Sequence, residues 1–282
     1  MIYILLSIVL FAINNVLWKK NLEHTSVLFL ISFRALFTSL ISVLIIVLFY
    51  DITTISLSNL YKISLGSLLG AIGLICMLTV VKKTTLQWLG IYNLIGILFT
   101  SIYLWFYENY ELSNLTFGTL FIIMGFIFFI FNNKSENYAI GFKLHALLLL
   151  MTFCFGASAL IHWHNLNTEI EPIYIAANQE IIVFILSTIV FFTIEKKSNL
   201  QDKYKSNLKN VLLMSLIIFM ALLFSFMGIK ATNPIISSLL FLSSPILTIL
   251  FSSIYFKEKI TVVNKIAIII IAIGAFILKL NN

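Results

Sequence analysis

The chain has 282 residues, of which 61% are hydrophobic and 10% charged, with a formal net charge of +7. A soluble domain is about 45–50% apolar and about 25% charged, so no soluble fold of this size hides so much apolar surface. The basic excess lacks the interleaved aromatic residues of a nucleic-acid binder; it reads as lysines at helix ends against lipid headgroups, and no nucleic-acid partner is expected.

Lipid offers the backbone no hydrogen bonds, so only helices and closed barrels span it. Barrel strands alternate polar and apolar residues, whereas the apolar runs here are long and continuous. A spanning helix needs about 20 such residues. Ten runs follow in chain order: 2–18, 26–49, 63–81, 86–107, 115–131, 141–161, 172–194, 210–228, 233–256 and 261–280. The expected fold class is all-α integral membrane, with ten transmembrane helices. The first run lacks the basic leader and cleavage site of a signal peptide and is read as a helix. The connections are short and hold most of the charge; the longest covers 195–209.

Polar residues inside these runs are the candidate functional groups. Helix 1 carries Asn14 and Asn15 near its middle and Trp18 at its end. Tryptophan at a helix end reads as an interfacial anchor, and asparagine as either interhelical glue or a cavity group. Helix 2 carries Arg34 about eight residues in, roughly 12 Å deep at 1.5 Å per residue. Arginine near the bilayer centre costs about 2.5–3.5 kcal/mol. It must therefore snorkel, clamp helix-end carbonyls, or face a cavity and bind a substrate carboxylate. Helix 4 holds Trp88 and Tyr92 on one face, with Asn93 beside them. Cys76 and Cys154, in helices 3 and 6, have no ligand spacing and read as inert buried thiols.

Past helix 6 comes His162-Trp163-His164, with Glu169 and Glu171 following. An HxH pair can ligate zinc, which keeps open an alternative: an integral-membrane enzyme or lipid-handling protein with its site near His162 and His164. No HExxH, second histidine cluster or Ser-His-Asp order accompanies it, so no metal, cofactor or catalytic residue is expected. Helix 7 carries Asn178-Gln179-Glu180. Burying a carboxylate disfavours its charged form, which makes Glu180 the expected proton carrier, or else one half of a structural ion pair with Arg34. Helix 9, with Ser237, Ser238, Ser243, Ser244 and Pro245, reads as a tight packing seam or a flexing wall.

The chain also repeats. Lys83 and Glu111 are separated by 28 residues, and so are Lys230 and Glu258. Lys20-Asn21-Leu22 matches His164-Asn165-Leu166 loosely. The unit is roughly 145–147 residues, giving halves 1–133 and 141–280 of five helices each. Five is odd, so the second copy enters from the opposite face: an inverted repeat, with a site expected near the midplane between halves. That symmetry sets Arg34 against Glu180.

Three segments carry a family resemblance: Gly228-Ile229-Lys230-Ala231-Thr232-Asn233-Pro234, Leu242-Ser243-Ser244-Pro245, and Phe256-Lys257-Glu258-Lys259-Ile260-Thr261 with Gly274 beyond. Phe33-Arg34-Ala35 adds to them. With these the chain resembles the drug/metabolite transporter superfamily, in its ten-helix EamA branch. Helix 4 departs from the pattern with Ile97-Leu98 in place of Ser-Pro, and the first acidic turn reads Glu108-Asn109-Tyr110-Glu111. The resemblance implies carriage of small metabolites such as amino acids. Small multidrug members of the superfamily hold a glutamate in the first helix; its absence here favours a neutral or zwitterionic substrate.

The expectation is thus a secondary transporter of a small polar or zwitterionic, amino-acid-like metabolite, working by alternating access with possible proton coupling at Glu180. Asn14, Asn15, Arg34, Tyr92, Asn93, Gln179 and Ser244 are its expected substrate-binding residues. The expected setting is the plasma (inner) membrane, as a monomer or homodimer whose partners are the lipid bilayer and a small-molecule metabolite. Three lysines fall on the side of the termini and fourteen on the other. The positive-inside rule then places both termini outside the cytoplasm, whereas the resemblance implies both inside.

Overall fold

A computed structural model of the chain describes residues 1–22, 25–50, 56–81, 83, 86–109, 117–132, 141–168, 170–194, 208–232, 234–256 and 262–280. Among these residues there are eleven helices: α1 Ile2–Leu22, α2 Val27–Phe49, α3 Leu57–Val81, α4 Leu86–Tyr107, α5 Phe117–Asn132, α6 Phe142–Leu166, α7 Pro172–Ile194, α8 Leu208–Ala231, α9 Pro234–Phe241, α10 Ser244–Phe256 and α11 Val262–Leu280. Seven stretches are long and apolar enough to cross a membrane, counting α9 and α10 as one run from Pro234 to Tyr255. The second acidic turn at 257–261 lies outside the described residues, as do Glu111, Glu169 and Asn233.

Several helices outrun their apolar cores. α1 continues through Lys19, Lys20 and Asn21 to Leu22, and α6 continues through His162 and His164 to Leu166. Backbone groups near the headgroups still need partners, and continuing the helix supplies them. Starts are marked by local chemistry. Ser26 caps α2, its hydroxyl accepting the Phe29 N–H at 3.0 Å. Proline opens both α7 and α9, where its missing N–H has no helical partner to lose.

The ninth apolar run is two helices rather than one. Pro245 has no N–H to give the carbonyl of Phe241. The helix therefore ends at Phe241 and tightens. Leu242 N–H reaches Leu239 O at 3.2 Å, and Ser243 N–H reaches Leu240 O at 2.9 Å, before α10 begins at Ser244.

Packing follows a pattern of exchanged partners. α1 lies against α8 and α10, while α6 lies against α3 and α4. α2 packs on α7 and α8, and α7 packs on α2 and α3. α5 pairs with α11. The C-terminal end of α6 sits beside the N-terminal end of α1, where Leu160 and Trp163 join Met1, Ile4 and Ile8 in one apolar cluster. The far end of α1, about 30 Å away, joins another cluster through Leu17, Trp18 and Leu22.

Candidate functional site

α2 and α7 meet where each carries its ionisable residue. Arg34 Nη1 donates to Glu180 Oε2 at 2.5 Å, with both side chains almost wholly buried. Arg34 does not snorkel; it is 1% exposed. Its carbonyl accepts from Thr38 Oγ1 and Ser215 Oγ, each at 3.0 Å, which ties this turn of α2 to α8. Two buried ions demand close pairing, because each has lost its hydration.

The pair borders a cavity of about 400 Å³. α1 contributes Phe11, Asn15 and Trp18, and α4 contributes Asn93, Gly96 and Thr100. α6 supplies Thr152, Phe155, Ser158 and His162; α7 supplies Gln179 and Glu180; α9 and α10 supply Ser237, Ser244 and Thr248. The walls are otherwise apolar, with Leu74, Met77, Leu222 and Phe226 among them. A mostly apolar pocket with a few convergent polar groups is what a small-molecule site looks like.

Of the eight residues expected to bind substrate or carry the proton, six line this space: Asn15, Arg34, Asn93, Gln179, Glu180 and Ser244. Asn15 Nδ2 donates to Thr248 Oγ1 at 3.2 Å, and Thr248 Oγ1 donates to Ser244 O at 2.8 Å. This chain of bonds links the middle of α1 to the first turn of α10. Asn14 and Tyr92 stand elsewhere. Asn14 is buried on another face of α1, about 100° from Asn15. The Tyr92 hydroxyl pairs with His145 Nδ1 at 2.8 Å, away from the cavity wall.

Two readings change. Trp18 is not an interfacial anchor: α1 runs a further turn to Leu22, leaving Trp18 inside the bundle, 5% exposed. Its ring lies 5.9 Å from Arg34 Cζ, within cation–π range. His162 is not a loop residue either. α6 continues past it, and it is 1% exposed on the cavity wall. His164, two positions on, faces away and lies 3.4 Å from Glu108 Oε1. Residues two apart on a helix point about 200° apart, so these histidines cannot share one ion. No group of three or more His, Cys, Asp or Glu among the described residues is arranged to hold a metal.

A further pair of contacts sits at the helix ends. Lys20 Nζ donates to Tyr255 OH at 2.6 Å, joining the end of α1 to the end of α10. His164 and Glu108 join the end of α6 to the end of α4. Lys20 and His164 are positions that the expected repeat would match. Tyr255 and Glu108 each stand 25 residues after Lys230 and Lys83. The two contacts occupy opposite ends of the bundle, because α6 ends where α1 begins.

Residues 143–280 match the EamA-like transporter family. The second half of the chain is an EamA-like domain. Over that half the chain is similar to EamA-like transporters, and its seven long apolar helical stretches suit a lipid bilayer. One solved structure, described only as a crystal structure of a protein, superposes with a TM-score of 0.74 at 13% identity. The match covers 99% of this chain and 96% of the other, and shows a shared fold. Among curated proteins none matches.

Proposed function

We propose that the chain is a secondary carrier moving a small polar or zwitterionic, amino-acid-like metabolite by alternating access, with Glu180 as proton carrier. The observation that carries this reading is the Arg34–Glu180 pair on the wall of a cavity where α2 crosses α7. Paired, the two groups cancel. A substrate carboxylate that takes the Arg34 guanidinium frees Glu180, and a freed buried carboxylate holds a proton more readily than a paired one. Substrate and proton would thus load together. Asn15, Asn93, Gln179 and Ser244 complete the substrate shell in this reading.

The reading includes ten spans in two inverted halves, 1–133 and 141–280. The exchanged packing of α1 with α8 and of α6 with α3 supports that symmetry, and so do the 146 positions between Arg34 and Glu180. The Lys20–Tyr255 and His164–Glu108 contacts are then equivalent latches on opposite membrane faces, opening in turn. The site is assigned to the plasma (inner) membrane. Flux of labelled amino acids into proteoliposomes under an imposed pH gradient tests the reading. Gradient-dependent uptake is expected, and a gradient-insensitive flux would remove the coupling.

A further inference from the structure

The cavity has a second polar pole that the pairing of Arg34 and Glu180 leaves unused. Ser158 and His162 stand one turn apart on α6, facing α3. Ser158 Oγ donates to Gly66 O at 2.8 Å. The His162 ring rests against the same glycine: a Cβ there would come within 2.7 Å of its Cε1. Phe226 packs on the ring in a T-shaped contact at 5.2 Å.

His162 is 1% exposed and lines the cavity, yet neither ring nitrogen has a hydrogen-bond partner among the described residues. Gln179 lines the same cavity, and its Oε1 also lacks one. An unmade buried hydrogen bond leaves the full desolvation cost of the group standing. With Arg34 Nε, which also lacks a partner, four such atoms belong to residues lining one cavity; the three on His162 and Gln179 are not explained by packing, because phenylalanine and leucine would fill the space without that cost. A neutral imidazole offers one donor and one acceptor, and the amide oxygen accepts only. Acceptors therefore outnumber donors at these three atoms, and they call for a ligand group that donates.

We propose that His162 and Gln179 receive the hydrogen-bond-donating end of the ligand, an N–H or O–H group, while Arg34 receives its anionic end. This assignment rests on the carrier reading above. It is tested by binding to the purified full chain in proteoliposomes. The probes are L-amino acids with uncharged side chains, each beside its N-trimethyl betaine, which keeps both charges and has no N–H. α-Hydroxy acids beside their O-methyl ethers form the O–H arm.

Methylated probes are expected to bind at least about tenfold more weakly to the wild type, roughly one hydrogen bond's worth. In His162→Phe and, independently, Gln179→Leu, that discrimination should fall by most of its size through loss of parent-compound binding. His162→Asn, which restores a donor and an acceptor, should recover it. Equal binding of parent and methylated probes to the wild type would overturn the assignment while leaving the carrier reading intact. Full discrimination in both His162→Phe and Gln179→Leu would do the same. Failure of every parent compound to bind would remove the carrier reading itself, and this assignment with it.

Discussion

Arg34 and Glu180 bond at 2.5 Å across α2 and α7, 146 positions apart in the chain. Removing one member leaves the other charge buried alone, which costs about 3–5 kcal/mol. Glu180→Gln should therefore lower the melting temperature in detergent and abolish flux driven by a pH gradient. The double replacement Arg34→Met with Glu180→Leu removes both charges. It should return stability to within about 1–2 kcal/mol of the wild type and remain inactive. Wild-type coupling in Glu180→Gln vesicles would exclude the proton role.

The end contacts yield a second expectation. With Cys76 and Cys154, both buried, first replaced by serine, cysteines at Lys20 and Tyr255 should cross-link under oxidant and arrest transport. A Glu108/His164 cysteine pair should arrest it as well, from the other end. Labelling of a cysteine placed at Ser238, on the cavity wall, should then be blocked from opposite membrane faces in the two locked proteins. Blocking from the same face in both would count against equivalent latches.

Stability of the α5–α11 seam depends on Gly274. A Cβ at this position would lie 2.7 Å from Gly118 O and 2.8 Å from Ile122 N, both backbone atoms that cannot swing aside. Gly274→Ala should push the helices apart and cost about 1–3 kcal/mol. Gly141→Ala, where nothing lies within 4 Å of the added atom, is the matched control and should change stability by no more than about 0.5 kcal/mol. Comparable melting temperatures for the two variants would show that the seam is looser than described.

The lysine count and the family resemblance predict opposite orientations, and the charge rule gives the expectation. A reporter fused after Asn282 should be active when it is a periplasmic enzyme and silent when it folds only in the cytoplasm. The opposite pattern would favour the family resemblance over the charge rule.

The apolar runs and the facing of Arg34 toward Glu180 were legible because both rest on large costs: exposed backbone in lipid, and unpaired charge at depth. Trp18 and His162 were misplaced for a single reason. Polar residues at 19–21 and 162–165 look like loop, yet the backbone stays helical through them, and each aromatic ring turns inward. Tyr92 was expected at the cavity beside Asn93, but adjacent helical positions diverge by about 100°, and its hydroxyl meets His145 instead. The proline in the ninth run was visible. The interruption was not, because it falls at Leu242-Ser243, on the preceding turn where the carbonyl loses its donor.

Matched positions that face each other also limit what the halves can assemble with. In the repeat reading, two copies of residues 1–133 joined as the natural halves are joined would set one guanidinium against another, and two copies of 141–280 would oppose carboxylates. At the separation observed here, such encounters are strongly repulsive. Each half is thus a poor partner for itself and a good one for its counterpart. A chain severed between them should reassemble only as the mixed pair.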